Sequence, residues 1–350
     1  MFLGMVIPGA AARRAKAWES KLVRLAREPG TDEFRRFERD VHEGLGRTPK
    51  SLPSLYFYDE RGSELFRRIM DLPEYYLTRA ERDVLERHGQ HIAAPFAGKP
   101  CDVVDLGAGD GAKTRILLRH LARADSSVRY VPVDVSEGAL VTVLEACAAE
   151  LPWLATAGVV AEYEAGIRWL SRSDAQRSRL VLFLGSNVGN LPDEMARGFF
   201  SSLYEALLPG DHVLVGFDMV KDVHVLQAAY DDAAGVTAEF NVNLLRRINR
   251  EQGANFDLGA FQHYATFSPP RRAMESYLLS RRRQTVRIGR REYAFEAWEP
   301  IHTEISRKYY ESDVHAFAED AGFVPVGHFF DEEHLFVDAL WRVAPVEGVR

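Results

Sequence analysis

Between residues 101 and 218 the chain repeats one pattern, a short apolar run followed by a stretch with helical period. CDVVDLG (101–107) precedes AKTRILLRHLA, and VRYVPVDVS (128–136) precedes EGALVTVLEACAAEL. GVVAEYEAG (158–166) and SRLVLFLGSN (178–187) read as further strands, PDEMARGFFSSLYEALLPG (192–210) as a helix, and DHVLVGFD (211–218) as a strand again. Strands that are apolar along their whole length are buried on both faces. The pattern therefore predicts an α/β fold with a doubly wound, mostly parallel sheet covered on each side by helices. Such sheets bind ligands at the carboxyl ends of their strands, which places the functional loops after Asp105, Asp134, Glu162, Gly185 and Asp218.

Residues 222–308 break the alternation. A helical part (VHVLQAAYDDAAGVTAEFNVNLLRRIN) runs into segments that read as antiparallel strands (AMESYLLSRRRQTVRIGRREYAF), and SDVHAFAEDAGF, PVGHFFD and LFVDALWRV then supply a helix and two strands that complete the sheet. The expected division is a substrate-binding domain of residues 1–79 plus 222–308 and a ligand-binding Rossmann-like domain of 80–221 plus 309–350. At 350 residues the chain is long enough for this.

A net charge of −7 argues against nucleic acid or an anionic membrane as partner. The basic stretch RRRQTVRIGRR (281–291) reads as an exposed strand or hairpin. The two cysteines form no framework, and the eleven histidines show no ligand spacing, so no metal is expected. No apolar run reaches the ~20 residues of a membrane span, and MFLGMVIPGAAARR reads as a disordered start rather than a signal peptide. The expectation is a cytoplasmic monomer acting on a small molecule.

The turn VVDLGAGDGAKT (103–114) admits three ligands. A P-loop would need glycine where Ala112 stands, and Asp110 would repel a polyphosphate. A dinucleotide would set its pyrophosphate on the same helix N-terminus, beside Asp105 and Asp110. S-adenosylmethionine carries no phosphate and bears a sulfonium and an ammonium, so carboxylates suit it. Gly107 and Gly109 let the backbone approach it, Asp134 is placed to accept from both ribose hydroxyls, and Glu162-Tyr163 ends the next strand where adenine would lie. The electrostatics favour the cationic ligand.

LYFYDERGSELFRRIMDLPEYYLTRAERDVL, LGAGDGAKT, VPVDVSEGAL, FLGSNVGNL, AAYDDAAGVTAEFNVN and TEISRKY, taken in order, resemble the histidine-specific S-adenosylmethionine-dependent methyltransferase family across about residues 45–345. The resemblance implies a class I methyltransferase-type sheet. It also implies Nα-methylation of a free amino acid, in the family's best-known case histidine to the trimethylated hercynine of ergothioneine biosynthesis, with S-adenosylhomocysteine as the other product. Cofactor contacts carried over by position fall on Tyr58, Gly107, Lys113, Asp134, Glu162 and Tyr163, where the family pattern has Asp-Phe at the last pair. Amino-acid contacts fall on Tyr75, Gly185, Asn190, Tyr230, Glu304 and Ser306, with Ser276 where the family's histidine enzyme has a methionine beside the imidazole.

Tyr75, Asn190 and Tyr230 offer neutral donors to an α-carboxylate. Glu304 and Ser306, two apart on an extended segment, face one way toward an imidazole. Methyl transfer needs the amine neutral and near the methyl, and Tyr58 and Tyr75 are the candidate catalytic groups. Methylation of another amino acid, a non-catalytic nucleoside-binding module and a nicotinamide oxidoreductase are the alternatives.

Overall fold

The computed structural model describes residues 21–25, 33–124, 127–170 and 177–344. The segment read as a disordered start lies outside them. The chain begins with β1 (Lys21–Arg24), α1 (Glu33–Gly46), β2 (Lys50–Ser51), α2 (Glu60–Met70) and α3 (Tyr76–Ala93). The alternation then runs β3 (Cys101–Leu106), α4 (Ala112–Arg123), β4 (Val128–Asp134), α5 (Glu137–Glu150), β5 (Ala155–Val160), α6 (Tyr163–Leu170), β6 (Ser178–Phe183), α7 (Asp193–Ala206) and β7 (His212–Asp218). The inserted part carries α8 (Val223–Tyr230), α9 (Val236–Gln252), β8 (Phe261–Ser268), β9 (Ala273–Ser280), β10 (Gln284–Ile288), β11 (Arg291–Phe295) and β12 (Pro300–Arg307). α10 (Glu311–Ala321), β13 (Phe323–Phe330) and β14 (Phe336–Val343) follow.

The large sheet has the order β1-β5-β4-β3-β6-β7-β14-β13. Its first six strands are parallel, and β14 and β13 close the far edge antiparallel. Every residue of β3 and β7 is buried, as unbroken apolar strands require. The strand order reverses between β3 and β6, so the turn after β3 and the turn after β6 open side by side at the carboxyl edge.

Two details depart from the sequence expectation. The strand read through Glu162-Tyr163 stops at Val160, because Glu162 already accepts the first helical bond, from the Gly166 N–H at 2.9 Å, and Tyr163 opens α6. The edge strand β1, parallel to β5, has only four residues, too few to show a period.

A second sheet, β2-β12-β9-β8, is antiparallel except where β2 joins β12. The basic stretch forms the β10–β11 hairpin, with Val286 and Ile288 turned inward and Thr285 and Arg287 facing water. Phe37, Val41, Leu45, Phe57 and Leu65 from the N-terminal elements share one apolar cluster with Phe240, Leu244, Ile248, Leu278 and Ile301 from the insertion. The two segments thus bury each other's apolar faces. Among the described residues no helix is long and apolar enough to cross a membrane.

Candidate active site

The turn after β3 needs its glycines: Gly107, Gly109 and Gly111 have φ of 78°, 56° and 63°. At Gly107 a Cβ would also stand 2.9 Å from the Tyr163 hydroxyl and 3.1 Å from the Asn187 amide. Asp134 ends β4 beside this turn, accepting from the Gly109 N–H at 3.1 Å and the Ser136 N–H at 2.8 Å. Burial raises its carboxyl above the usual range, and those backbone donors oppose the shift.

Asp105 does not face the turn. Its carboxylate is buried beneath it, bonded by the Thr114 hydroxyl at 2.6 Å and the Tyr130 hydroxyl at 2.9 Å, and burial pushes it up to about 6. Asp110 is spent on the turn itself, accepting from the Ala112 N–H at 2.9 Å. Of the three acidic residues expected to greet a cation, Asp134 alone is presented at the strand ends. Tyr163 lies edge-on to Phe183 and Phe199, whereas Glu162 points to the outside, paired with Arg36 of α1.

Lys113, in the first turn of α4, forms an ion pair with Glu81 of α3. Glu81 is fully buried, and its other oxygen accepts from the Gly185 N–H at 2.6 Å. Gly185 has a φ of 74°. One carboxylate therefore joins an expected cofactor contact to an expected amino-acid contact. Asp338 of β14 is buried in the same place with no hydrogen bond among the described residues, and burial together with the Glu81 charge pushes its carboxyl well up.

Beyond this point the cleft is aromatic. Tyr58 packs edge-on against Phe66 and Phe240, and Tyr75 does so against Phe66 and Tyr230. Burial raises the Tyr58 hydroxyl well above its ordinary value, and the charges of Glu304 and Asp134 both add to this. Tyr75 is raised in the same way, by burial and then by Tyr230 and Glu304.

Glu304 and Ser276 stand directly opposite each other across the β12–β9 pair, with the Ser276 hydroxyl 3.4 Å from the carboxylate. Burial pushes the Glu304 carboxyl up to about 7, against the opposing pull of the Lys308 ammonium. Ser306 accepts from the Tyr230 hydroxyl at 2.7 Å and from Lys308 at 2.9 Å. Lys308, fully buried, also donates to the Tyr230 oxygen at 2.9 Å and pairs with Asp218 at 2.7 Å. Asp218 in turn accepts from Tyr76 at 2.7 Å and pairs with Lys221. Asn190 closes the 3-10 turn after β6, and its side chain makes no hydrogen bond among the described residues. Gly189 lets that turn lie on β12, since a Cβ there would meet the Arg307 carbonyl at 3.0 Å.

Contacts join Gly107 to Tyr163, Asp134 to Gly109, Lys113 to Gly185 through Glu81, Tyr58 to Tyr75 through Phe66, Tyr75 to Tyr230, Tyr230 to Ser306 and Ser276 to Glu304, while Asn190 stands in the 3-10 turn against β12 and Glu162 is turned outward. The sequence reading missed Glu81, Lys308, Phe66 and Phe240. Glu81 left a signal, because in the apolar stripe Leu77, Ala80, Val84, Leu85 of α3 a charged residue holds a core position. Lys308 left none, since its partners lie up to 90 residues away in sequence.

The sequence profile of the histidine-specific, S-adenosylmethionine-dependent methyltransferases matches residues 37–343. Histidine N-alpha-methyltransferases of Mycolicibacterium smegmatis and Mycobacterium tuberculosis are 42% and 40% identical to the chain, covering 81% and 84% of it and 88% and 91% of their own lengths. An L-tryptophan methyltransferase of Psilocybe serbica is 27% identical over 84% of this chain and 89% of its own. The chain belongs to the family of histidine-specific, S-adenosylmethionine-dependent methyltransferases.

Proposed function

We propose that the protein methylates the α-amine of free L-histidine, using S-adenosylmethionine, through to the trimethylated product hercynine of ergothioneine biosynthesis. One observation carries this reading. Glu304, a carboxylate raised by burial, faces Ser276 across the β12–β9 pair, and its charge and that of Asp134 both act on Tyr58.

The residues at the glycine turn suit the methyl donor. Gly107 leaves a cradle that a Cβ would fill, Asp134 is a carboxylate rather than a phosphate partner, and Lys113 offers an ammonium to a carboxylate. The donor supplies an electrophilic methyl on its sulfonium. In this assignment Gly107, Lys113, Asp134 and Tyr163 hold it, while Glu162, engaged by Arg36, acts at the rim.

The amino acid is gripped at two ends. Tyr75, Asn190 and the Gly185 turn hold the α-carboxylate end, Tyr230, whose hydroxyl is given to Ser306, braces the ring end, and Glu304, Ser306 and Ser276 hold the ring. Tyr58 and Tyr75 keep their protons at neutral pH, so each places a neutral oxygen near the amine, able to accept its proton's hydrogen bond or to pass it to water. The aromatic walls exclude solvent, and positioning carries the rate. We assign the substrate-binding lobe to residues 1–79 plus 222–308 and the donor-binding lobe to 80–221 plus 309–350, with α3 running across the 79/80 boundary.

A product mass spectrum from protein supplied with S-adenosylmethionine and each of the twenty amino acids tests the assignment. Successive methyl additions on histidine are expected. Gain on tryptophan or another amino acid, with none on histidine, would overturn the substrate and keep the reaction. That second reading draws on Ser276, whose small side chain leaves more room beside Glu304 than a methionine would.

A further inference from the structure

The hydrogens around Ser306 can be counted. A serine hydroxyl has two acceptor positions and one hydrogen. Both acceptor positions are taken, one by the Tyr230 O–H at 2.7 Å and one by the Lys308 ammonium at 2.9 Å. Lys308 has no freedom to release its share. Its three N–H groups go to Ser306, to the Tyr230 oxygen at 2.9 Å and to Asp218 at 2.7 Å. Tyr230 is fixed in turn: its oxygen receives Lys308, and burial beside Asp218 keeps its proton on. A phenol is the stronger donor and an aliphatic hydroxyl the stronger acceptor, so the Tyr230 proton lies in their shared bond, and what remains is one O–H on Ser306 with no further acceptor among the described residues. Two residues back, Glu304 is a carboxylate that, among the described residues, receives only the long 3.4 Å approach of Ser276.

We propose that Lys308, held by Asp218, fixes Ser306 as an obligate donor, so that the pocket admits the substrate's imidazole only as the neutral ring in one tautomer. The lone-pair nitrogen faces Ser306 and the N–H faces Glu304. This rests on the histidine assignment above and adds to it the charge and proton placement of the bound ring, together with the residue that dictates them. An imidazolium has no lone pair to offer Ser306, and the opposite tautomer would set N–H against O–H. Lys308 touches no ligand in this scheme. It is a positioning residue acting through Ser306.

Nitrogen-15 NMR of ring-labelled L-histidine bound to the full chain with S-adenosylhomocysteine reads the ring directly. The expected spectrum has two well-separated ring resonances, one of a protonated nitrogen and one of an unprotonated nitrogen shifted by hydrogen bonding. Two resonances at the doubly protonated position, or one averaged pair, would overturn the proposal while leaving histidine as substrate. Absence of histidine binding and turnover would instead overturn the assignment on which it rests.

Two variants separate Lys308 from general damage. Ser306→Ala keeps the Lys308–Tyr230–Asp218 contacts and is expected to weaken histidine about tenfold. It should also abolish the preference for histidine over a pyrrolylalanine, whose ring keeps the N–H but has carbon for the acceptor nitrogen. Lys308→Met leaves Asp218 paired with Lys221, so no buried charge is left without a partner, and is expected to leave S-adenosylhomocysteine affinity intact while the bound ring loses its single-tautomer spectrum. An unchanged spectrum in this folded Lys308 variant, or an undiminished preference in Ser306→Ala, would overturn the proposal.

Discussion

Glu304 is asked to do two opposed things. Burial raises its carboxyl from an ordinary glutamate value to about 7, so the empty fold favours the protonated form. Accepting an imidazole N–H requires the ionised form. A carboxyl raised on folding contributes stability that is fully present below its unfolded value, near 4.5, and is lost as pH rises through about 7. Glu304→Gln removes that loss. Thermal melts of the unliganded proteins should therefore show the variant gaining on the wild type between pH 5 and pH 8, by up to roughly 3 kcal/mol. The same variant should lose histidine affinity by about tenfold or more while S-adenosylhomocysteine binding stays near the wild-type value. In the wild type, histidine turnover should fall as pH drops below about 7. A variant that loses donor and amino-acid binding equally would remove Glu304 from the amino-acid pocket. This carboxylate was legible in TEIS through the family motif; its raised affinity for a proton was not, because that arises from burial by elements distant in sequence, against the opposing pull of Lys308 and Ser276.

The two glycine turns divide the labour between the half-sites, and each has a glycine that can be tested. At Gly107 an added methyl meets the Tyr163 hydroxyl at 2.9 Å on a backbone with φ of 78°, a conformation that costs a non-glycine residue roughly 1–3 kcal/mol. Gly107→Ala should weaken S-adenosylhomocysteine binding at least about tenfold, measured by calorimetry. At Gly189 the obstacle is the Arg307 backbone, its carbonyl at 3.0 Å and its nitrogen at 3.2 Å, which cannot rotate aside. Gly189→Ala should push the 3-10 turn off β12, raising the KM for histidine while leaving donor affinity nearly unchanged. If the two substitutions affected donor and amino acid alike, the division would be wrong. The first turn was readable because glycine after an apolar strand is a local signal. The contact of the second turn with β12 was not, because it joins segments more than a hundred residues apart, and no periodicity records such a meeting. β1 was hidden for another reason, its four residues being too few to show a period, while the β10–β11 hairpin was visible from its own alternation.

Across the whole molecule, the half-sites are tied together by a buried ion pair rather than by a shared loop. Glu81 holds Lys113 with one oxygen and the Gly185 N–H, at 2.6 Å, with the other. It occupies space that exists because Gly216 has no side chain, where a Cβ would lie 2.5 Å from its Oε1. A ligand carboxylate arriving at Lys113 competes for the ammonium and so alters the carboxylate that orients Gly185. Binding at the two places must then be coupled, and the coupling must be the same in both directions. Calorimetric titration of histidine with and without saturating S-adenosylhomocysteine, and the reverse titration, should give one common factor, about fivefold or more. Glu81→Gln keeps the shape and the acceptor for Gly185 but loses the charge. Asp338 lies beside it, its carboxyl pushed well up by burial and then by the Glu81 charge, and losing that charge lifts the second of these and favours its pairing with Lys113. The single variant is therefore expected to keep part of the coupling, and Glu81→Gln with Asp338→Asn to bring the common factor close to one. Coupling that survives unchanged in the folded double variant would show that it runs through Tyr58 and the aromatic wall instead.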